Sequence, residues 1–332
     1  MEILMTAAHQ QTGRLEAPCP VPDNGKPPKV AILMGTYQGQ RYLPEQLDSF
    51  IAQTHDNWEV WASDDGSRDG TLAICKTYAE RWPTGRMRVL IGPGKGFAAN
   101  FLSLTCNPDI EADYYAYADQ DDIWEADKLA RAVQWLETID ANKPALYCSR
   151  TRLVDEDNNE IGLSPLFSRK PSFANALVQS IGGGNTIVFN NAARELLRET
   201  EQNSPLPSHD WWAYIVVTGC GGSVFFDHYP SLRYRQHGRN LAGMNTSWQG
   251  RIKRISQLQA GHFRRWNDAN ICALRKLQGK LTPESREMLE RFNKGRQMSL
   301  IPRLYHLKHS GIYRQTLLGN LGLVAAAILK KI

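Results

Sequence analysis

The sequence predicts an α/β fold in which a doubly wound, mostly parallel sheet is flanked by helices and followed by a C-terminal helical region. Two observations carry this prediction. Short, continuous apolar runs alternate with segments of helical periodicity over roughly the first 120 residues, which is typical of parallel strands joined by helical crossovers. A polar cluster follows each of these runs, where the carboxyl ends of parallel strands form a ligand site.

Each strand is recognised by its apolar run, and each helix by apolar residues that recur three or four positions apart. In the first half, the predicted strands are residues 30–34, 58–62, 87–91 and 114–118, and the predicted helices are residues 43–52, 71–81, 97–104 and the segment from Asp127 onward. In the second half, we expect strands at 145–149, 186–189, 223–226 and 231–234, and a helix that opens at 208. Beyond residue 240 the periodicity is helical almost throughout.

The chain divides into three segments. Its 332 residues suffice for one large domain with an appendage. We interpret residues 1–28, which are polar and interrupted by prolines, as a flexible lead-in without a cleaved leader. Residues 29–240 form the α/β domain, and residues 241–332 form a basic helical region. The six scattered cysteines lack a C-x-x-C pair, which argues against a zinc site and favours a reducing cytoplasm.

Charge is unevenly distributed along the chain. The net charge is +5, yet residues 239–332 carry 18 Lys and Arg against 4 Asp and Glu. Such a region suits an anionic partner, and nucleic acid and anionic lipid both fit on charge alone; a solvated helical face is the alternative. Residues 317–328 are apolar but too few for the ~20 residues that cross a bilayer. An interfacial helix on anionic lipid and a helix packed on the α/β domain or in a homodimer interface are equal alternatives.

The most informative stretch is the acidic cluster of Asp119, Asp121 and Asp122, which follows a predicted buried strand. Carboxylates this close repel one another, and a divalent cation with its ligand would discharge them. Asp119 and Asp121 point the same way in an extended segment, so they could serve Mg²⁺ or Mn²⁺ and a diphosphate. A solvated acidic turn is the alternative.

Three other positions carry candidate chemistry. Asp64 and Asp65 follow the second strand, where a carboxylate could accept hydrogen bonds from a base or a ribose; a helix-entry turn is equally favoured. Asp210 begins a predicted helix, whose N-terminus stabilises an ionised general base, although a simple N-cap is the alternative. His237 could complete a metal site, although a lone histidine is more often structural.

Two common nucleotide sites are disfavoured. The sequence has no G-x-x-x-x-G-K-[ST] loop, and no G-x-G-x-x-G follows the first strand. The Gly-Pro-Gly-Lys-Gly run at residues 92–96 fits neither motif. It is as well explained by a flexible loop as by a phosphate contact.

Several motifs together resemble family 2 glycosyltransferases. Residues 30–39 resemble the opening strand and loop of that family, and the S-D-D-G-S-R-D-G-T run at 63–71 is close to its nucleotide-binding motif. A-D-Q-D-D-I-W at 118–124, H-D-W-W at 209–212 and Y-R-Q-H-G at 234–238 resemble the rhamnosyltransferase branch. The resemblance spans residues 29–240. It departs at Gln38, where relatives often carry Asn.

The resemblance implies a GT-A fold and an inverting, metal-dependent transfer of a sugar from a nucleotide-sugar. The implied donor-binding residues, with Asp64 at the base, are Thr36, Tyr37, Asp64, Asp65, Lys95, Asp119 and Gln120. Asp121 and His237 would bind Mg²⁺ or Mn²⁺, and Asp210 would be the catalytic base. The implied acceptor or supporting residues are Trp124, His209 and Trp211.

The rhamnosyltransferase branch implies further partners. They are dTDP-L-rhamnose as donor and a lipid-linked glycan of a bacterial surface polysaccharide as acceptor, with no nucleic acid. The implied location is cytoplasmic and peripheral on the inner face of the membrane. A sugar-nucleotide pyrophosphorylase-like enzyme would need a G-x-G-T-R loop, which residues 35–39 do not form. A relative that binds nucleotide-sugars without turnover is disfavoured by the intact Asp121, Asp210 and His237.

Overall fold

The structure is a computed structural model that describes residues 25–200, 205–238 and 261–332. Most of the predicted lead-in, and residues 241–260 of the predicted basic region, therefore lie outside the described residues. The strands are β1 (Val30–Thr36), β2 (Trp58–Asp64), β3 (Met87–Ile91), β4 (Tyr114–Ala118), β5 (Ile123–Trp124), β6 (Ala145–Val154), β7 (Glu160–Leu163), β8 (Val188–Asn190) and β9 (Ser223–Arg235).

Helices cover both faces of the sheet and make up most of the C-terminal part. They are α1 (Leu43–Ile51), α2 (Thr71–Arg81), α3 (Phe97–Cys106), α4 (Lys128–Leu136), α5 (Phe173–Ala176), α6 (Asn191–Arg198), α7 (His209–Gly219), α8 (His262–Lys276), α9 (Pro283–Gln297), α10 (Leu300–His309) and α11 (Leu317–Ile328). A 3₁₀ turn at Gly184–Thr186 precedes β8.

Among the described residues, the strands form one nine-stranded sheet in the order β3-β2-β1-β4-β8-β6-β9-β5, with β7 paired to β6. The first four strands are parallel, which confirms the doubly wound arrangement predicted from their apolar runs. β8 runs antiparallel to both β4 and β6. The parallel pairings are the longer ones, so the sheet is mostly parallel, as predicted.

The second half differs from the prediction in several places. The two strands expected at 223–226 and 231–234 are one strand, β9, whose register against β6 shifts around Pro230. Proline lacks the N–H that a regular ladder needs, so it is accommodated at such an irregularity. The short strands β5 and β7 were not predicted, because two to four residues give too little periodicity to recognise.

Successive residues of β1 point to opposite faces of the sheet, and each face has its own core. Ala31 and Leu33 join a core that contains α3, α6 and α7, whereas Val30, Ile32 and Met34 join a core with α1 and α4. Because both faces are covered, β1 is apolar at every position from Val30 to Met34.

The C-terminal helices pack on the first of these cores. Leu274 of α8, Phe292 of α9, Leu307 of α10 and Leu323 of α11 are buried in the same cluster as Trp212 of α7. The helical periodicity predicted beyond residue 240 is thus confirmed where the structure describes it. None of the described helices has the length and hydropathy needed to cross a lipid bilayer.

Lys128 is a buried cation in the second core. Its side chain is fully buried, and its Nζ has no hydrogen-bond partner among the described residues. The ammonium lies 3.9 Å from the centroid of the Trp124 ring. Burial lowers the pKa of Lys128 to about 7, and the charge of Asp122 opposes this shift. A cation–π contact recovers only ~0.5–2 kcal/mol, so the charged form of Lys128 destabilises the fold.

Replacing Lys128 with methionine, Lys128→Met, should therefore stabilise the protein by about 1–4 kcal/mol at neutral and acidic pH. Since the folded-state pKa of about 7 lies below the ordinary lysine pKa of 10.5, the penalty for burying the charge is complete below pH 7. It fades as the pH rises toward the unfolded pKa. Urea unfolding of wild type and variant between pH 6 and pH 9.5 would measure this trend. Exposed Lys143, in Lys143→Met, is the control; a stability difference that grows with pH would contradict the assignment.

Candidate active site

A large cleft of about 1860 Å³ opens at the carboxyl ends of the parallel strands. It is lined by the loops that follow β1, β2, β3 and β4, and by the start of α7 and the end of β9. Eight of the residues predicted to bind donor, metal or acceptor proton line it: Thr36, Tyr37, Asp65, Asp119, Gln120, Asp121, Asp210 and His237. His209, predicted as an acceptor-contacting or supporting residue, lines it as well.

Strand register explains why the first polar clusters meet. Thr36, at the end of β1, pairs with Asp64, at the end of β2, and its Oγ1 donates to Asp64 Oδ1 at 3.0 Å. Asp64 also accepts from Ser67 Oγ and from the backbone N–H groups of Gly66 and Ser67. A carboxylate has about four lone-pair sites, so those of Asp64 are fully used. Asp64 thus organises the turn and does not line the cleft.

The next residue, Asp65, faces the cleft and fixes the loop that follows β3. Its Oδ1 accepts from the backbone N–H of Gly94 at 2.7 Å, and its Oδ2 accepts from that of Gly96 at 2.8 Å. Lys95 is exposed between these two glycines and does not line the cleft itself.

Gln120 joins the loop after β1 to the acidic segment after β4. Its side-chain amide accepts from the backbone N–H of Tyr37 and donates to the Tyr37 carbonyl, both at 2.8 Å. A Cβ on Gly39 would overlap the Gln120 amide, so this clamp requires glycine there. Gln38 has a φ of 53°, a left-handed conformation in which Asn is enriched. Asn would therefore adopt the backbone conformation at this position with less strain than Gln.

Like charges converge on the floor of the cleft. Burial, together with the charges of Asp121 and Asp210, raises the pKa of Asp119 to about 8. Asp119 and Asp121 follow β4, whereas Asp210 belongs to α7, about ninety residues later in the chain. The fold thus brings carboxylates from two distant segments together, which stays costly until a cation or a proton compensates them.

Asp122 is the member of the acidic cluster that faces away from the cleft. It is fully buried, and its Oδ2 accepts from Asn185 Nδ2 at 2.5 Å. Its Oδ1 accepts from the backbone N–H of Arg235 at 3.2 Å. Burial and the neighbouring Asp121 and Asp119 raise the pKa of Asp122 well above its usual range. Asp122 is therefore an internal anchor that holds the loop against β9.

Asp121 and His237 form a close pair in the cleft. The Nε2 atom of His237 lies 2.8 Å from Asp121 Oδ2, because β9 pairs with β5 and returns the chain to the acidic segment. In the part of the chain that the structure describes, no three His, Cys, Asp or Glu side chains are arranged to hold a metal ion. One carboxylate and one imidazole nonetheless fit Mg²⁺ or Mn²⁺ when diphosphate oxygens supply further ligands.

Asp210 lies in the first turn of α7, which points into the cleft. Ser208 is the N-cap residue of this helix and accepts from the Trp211 backbone N–H through its side chain. Asp210 Oδ1 contacts Ser208 Oγ and accepts from the Trp211 N–H at 2.7 Å. The start of α7 thus presents the Asp210 carboxylate at the cleft surface.

His209, beside Asp210, is packed between aromatic rings. Its ring stacks on Phe101 at a centroid distance of 3.9 Å and meets Tyr117 edge-on at 4.7 Å. Burial lowers the pKa of His209 to about 4, so its imidazole is neutral near pH 7. Neither ring nitrogen has a partner among the described residues. Gly184 packs against this ring, since a Cβ there would lie 2.5 Å from His209 Nε2.

Two of the aromatic residues predicted for the site lie outside the cleft. Trp124 is buried in the second core, where it packs against Phe50 with ring centroids 4.6 Å apart. Trp211 of α7 is buried, and its Nε1 donates to the Ala176 carbonyl at 2.7 Å. Both can support the site only by packing.

Sequence reasoning missed Arg235, which supports the site from behind. Its side chain is 1% exposed. It donates to the Asp121 carbonyl at 3.2 Å and the Glu156 carbonyl at 2.7 Å, and forms a 2.7 Å ion pair with Glu45. The arginine inside the Y-R-Q-H-G motif was the sequence signal that could have identified this residue.

The sequence also did not predict the far end of the cleft. This end is lined by Ser149, Thr151, Ser164, Phe167 and Phe226.

Comparison with known proteins gives consistent results. The sequence pattern of the family described as Glycosyl transferase family 2 matches residues 31–199. The dTDP-rhamnosyl transferase RfbG of Shigella flexneri is 29% identical over 246 residues, which cover 70% of this chain and 81% of that protein. An uncharacterized glycosyltransferase of Rickettsia typhi is 24% identical over 257 residues, covering 69% of this chain and 73% of that protein.

Solved structures establish the fold. Staphylococcus aureus TarS, residues 1–349 in complex with UDP, superposes with a TM-score of 0.52 at 12% identity and covers 91% of this chain and 89% of its own. The mannosyltransferase PcManGT from Pyrobaculum calidifontis, in complex with GDP-Man and Mn²⁺, gives 0.50 at 16% identity, with coverages of 94% and 88%. The predicted GT-A fold is therefore confirmed.

The contact between Gly184 and His209 yields a prediction. In Gly184→Ala the new Cβ would push the His209 ring against Phe101 and shift Asp210, whose Cβ lies 3.6 Å away. Because a misplacement of about 1 Å can cost ~10²-fold in rate, turnover should fall ~10–100-fold while donor affinity changes little. Gly279→Ala, where a Cβ meets nothing within 4 Å, is the control. Wild-type turnover in Gly184→Ala would show that this packing does not position Asp210.

Proposed function

The chain belongs to glycosyl transferase family 2 and is a glycosyltransferase, and from this premise we propose that it is an inverting, metal-dependent rhamnosyltransferase. The donor proposed is dTDP-L-rhamnose, and the acceptor is a hydroxyl of a growing, lipid-linked bacterial surface polysaccharide. The observation that carries the proposal is the convergence of Asp119, Asp121 and Asp210 in one cleft. The similarity to a dTDP-rhamnosyl transferase supports the choice of sugar.

The nucleotide is proposed to bind between the loops after β1, β2 and β3. Tyr37 is exposed at the rim of the cleft, and an aromatic ring there can stack on a base. Asp65 lines the cleft and accepts hydrogen bonds from a base or ribose, and Asp119 faces the ribose and the diphosphate. Thr36 and Asp64 act through the turn that they fix, Gln120 through its clamp on Tyr37, and Lys95 as a nearby positive charge.

Asp210 is proposed to act as the general base. It takes the proton from the acceptor hydroxyl while that oxygen attacks the anomeric carbon from the face opposite the diphosphate. The bond between the anomeric carbon and the diphosphate oxygen breaks, and its electron pair leaves with the diphosphate, so the configuration inverts. General-base assistance of this kind contributes ~10²–10⁴ in rate. Because His209 is neutral, it places no positive charge beside Asp210.

Asp121 and His237 are the residues that would hold Mg²⁺ or Mn²⁺, with Asp119 nearby. Such a cation supplies charge neutralisation for the departing diphosphate. Asp121 is kept in place by Arg235, which binds its backbone carbonyl. The Asp122 anchor keeps the rest of the loop rigid. This support matters because site residues must be held closely to the productive geometry.

The far end of the cleft is proposed to receive the acceptor. Hydroxyls from Ser149, Thr151 and Ser164 line it beside Phe167 and Phe226, whose ring centroids are 5.4 Å apart. Hydroxyls can bond sugar hydroxyls, and aromatic faces pack on sugar C–H surfaces. We also propose that residues 29–240 carry catalysis. Residues 241–332 then hold the enzyme peripherally on the inner face of the cytoplasmic membrane.

Another nucleotide-sugar is the second candidate. The superposed mannosyltransferase was solved with GDP-Man and the superposed TarS with UDP, so a GT-A cleft of this shape admits different nucleotides. Binding of nucleotide-sugars without turnover is a third candidate, and the base variant below separates it from catalysis.

Replacing the proposed base in Asp210→Asn should lower transfer or slow donor hydrolysis by ~10²–10⁴, because the amide cannot accept the acceptor proton. Donor affinity, measured by calorimetry, should stay near that of wild type. Asp109→Asn removes an exposed carboxylate elsewhere and serves as the control. Full activity in Asp210→Asn would refute the base assignment, and a wild-type protein without any turnover would favour the binding-only function.

A donor panel tests the sugar and the metal together. We expect dTDP-L-rhamnose to bind more tightly than GDP-mannose or UDP-N-acetylglucosamine, and only with Mg²⁺ or Mn²⁺ present. In Asp121→Ala the dependence of donor affinity on metal should disappear, whereas Asp109→Ala should retain it. Tighter binding of another nucleotide-sugar would replace rhamnose. Unchanged metal dependence in Asp121→Ala would exclude Asp121 from the metal site.

A further inference from the structure

Helix α11 presents an entirely apolar outer face, which we name the leucine face. Its members, between 50% and 78% exposed, are Leu317, Leu318, Leu321, Val324, Ile328 and Leu329. The other exposed positions of this stretch, Gly322 and Ala325, are also non-polar. A helix on the surface of a water-soluble domain normally turns polar residues outward. Leucines exposed over three turns therefore indicate a surface that a partner covers.

This face is held outward by well-defined contacts. α11 packs inward through Leu323 and the small residues Ala326 and Ala327. Thr316 caps its N-terminus by accepting from the Gly319 N–H at 3.0 Å. At the other end, Arg303 of α10 donates to the Ala327 carbonyl at 2.7 Å. This distribution of side chains in α11 is the reverse of the usual one, since two of the three inward residues are alanines and most of the large apolar residues are exposed.

Helix α10 extends the apolar surface. Arg303 ties the first turns of α10 to the end of α11, so Leu300 and Ile301 lie near that end. Ile301 is 81% exposed, and Tyr305, one turn later, is 59% exposed. Tyrosine is a side chain that prefers the boundary between water and lipid. The two helices thus offer adjoining apolar surfaces.

The charges around this surface identify the kind of partner. After Glu290 the chain contains no Asp or Glu, whereas residues 291–332 include eight Lys and Arg. Exposed Lys308 lies at the end of α10, and Lys330 follows α11, so cations flank the leucine face at both ends. Lysines beside exposed leucines match an anionic lipid surface, which attracts nearby cations.

Two other occupants fit less well. A symmetric dimer would place this face against the same face of a second copy, and would bring two sets of lysines together without any acidic partner. A spanning helix is excluded by length, because the twelve residues of α11 rise only about 18 Å. A hydrocarbon core is about 30 Å thick.

We propose that the leucine face of α11, with Leu300, Ile301 and Tyr305 of α10, is a membrane-docking surface that lies in the plane of an anionic lipid leaflet. The leucines enter the acyl boundary, and Lys308, Lys330 and Lys331 contact lipid headgroups. The inference rests on the proposed function in one respect: a lipid-linked acceptor would be reached at that surface. The inference identifies the residues that contact the lipid, and the overall charge of the C-terminal region alone does not identify them.

Co-sedimentation of the full chain with vesicles tests the proposal. Wild type should pellet with phosphatidylglycerol–phosphatidylcholine vesicles and much less with pure phosphatidylcholine. Leu318→Gln with Leu321→Gln should weaken partition tenfold or more, because both substitutions remove large apolar side chains that would otherwise leave water for the acyl boundary. Lys330→Gln with Lys331→Gln should weaken it only on anionic vesicles and mainly at low salt.

Ile51→Gln with Ile161→Gln is the matched control, since both isoleucines are 57% exposed outside this surface. Circular dichroism and donor affinity should be unchanged in every variant, so loss of lipid binding is distinguished from misfolding and from failure of the proposed chemistry. Equal pelleting of wild type and the leucine variant would overturn the proposal. So would a wild-type dimer in sedimentation velocity that the leucine variant dissociates, with no vesicle binding.

Discussion

The structure depends on one electrostatic constraint: carboxylates of like charge are crowded where β4 ends in the interior. Three of the four residues from Asp119 to Asp122 are acidic, and Asp210 approaches them from α7. The fold separates their roles. Asp122 turns inward and accepts hydrogen bonds from Asn185 and the Arg235 backbone, while Asp119 and Asp121 remain in the cleft. A cationic ligand would relieve the repulsion between these two carboxylates.

The rest of the cleft serves to hold this cluster in place. Register within the parallel sheet fixes Thr36 beside Asp64, and backbone N–H groups tie Asp65 to the neighbouring loop. Gln120 then locks the first loop to the acidic segment. Each link joins loops from different strands, so the cleft is rigid before any donor arrives. Such preorganisation reduces the cost of binding and of charge development.

The C-terminal helices join the same core as α7, yet their outer face is apolar and surrounded by cations. Packing within the chain explains the buried residues of α11, such as Leu323, but gives the exposed Leu317 and Leu318 no partner among the described residues. The proposed nucleotide-sugar site and the proposed lipid surface thus belong to one packed unit. This suits an enzyme whose proposed acceptor is partly lipid.

The sequence by itself determined the family, the parallel half of the sheet and most of the residues that meet in the cleft. Continuous apolar runs and strand-end polar clusters are local signals, so β1 to β4 and Asp65, Asp119 and Asp121 could be read directly. Only the tertiary structure decided that Asp64 is consumed by its own turn, that Trp124 is buried in the core, and that Arg235 supports Asp121. It also decided which face of α11 is exposed. These outcomes depend on side-chain direction and on contacts between distant segments, such as β5 with β9, which short-range periodicity does not encode.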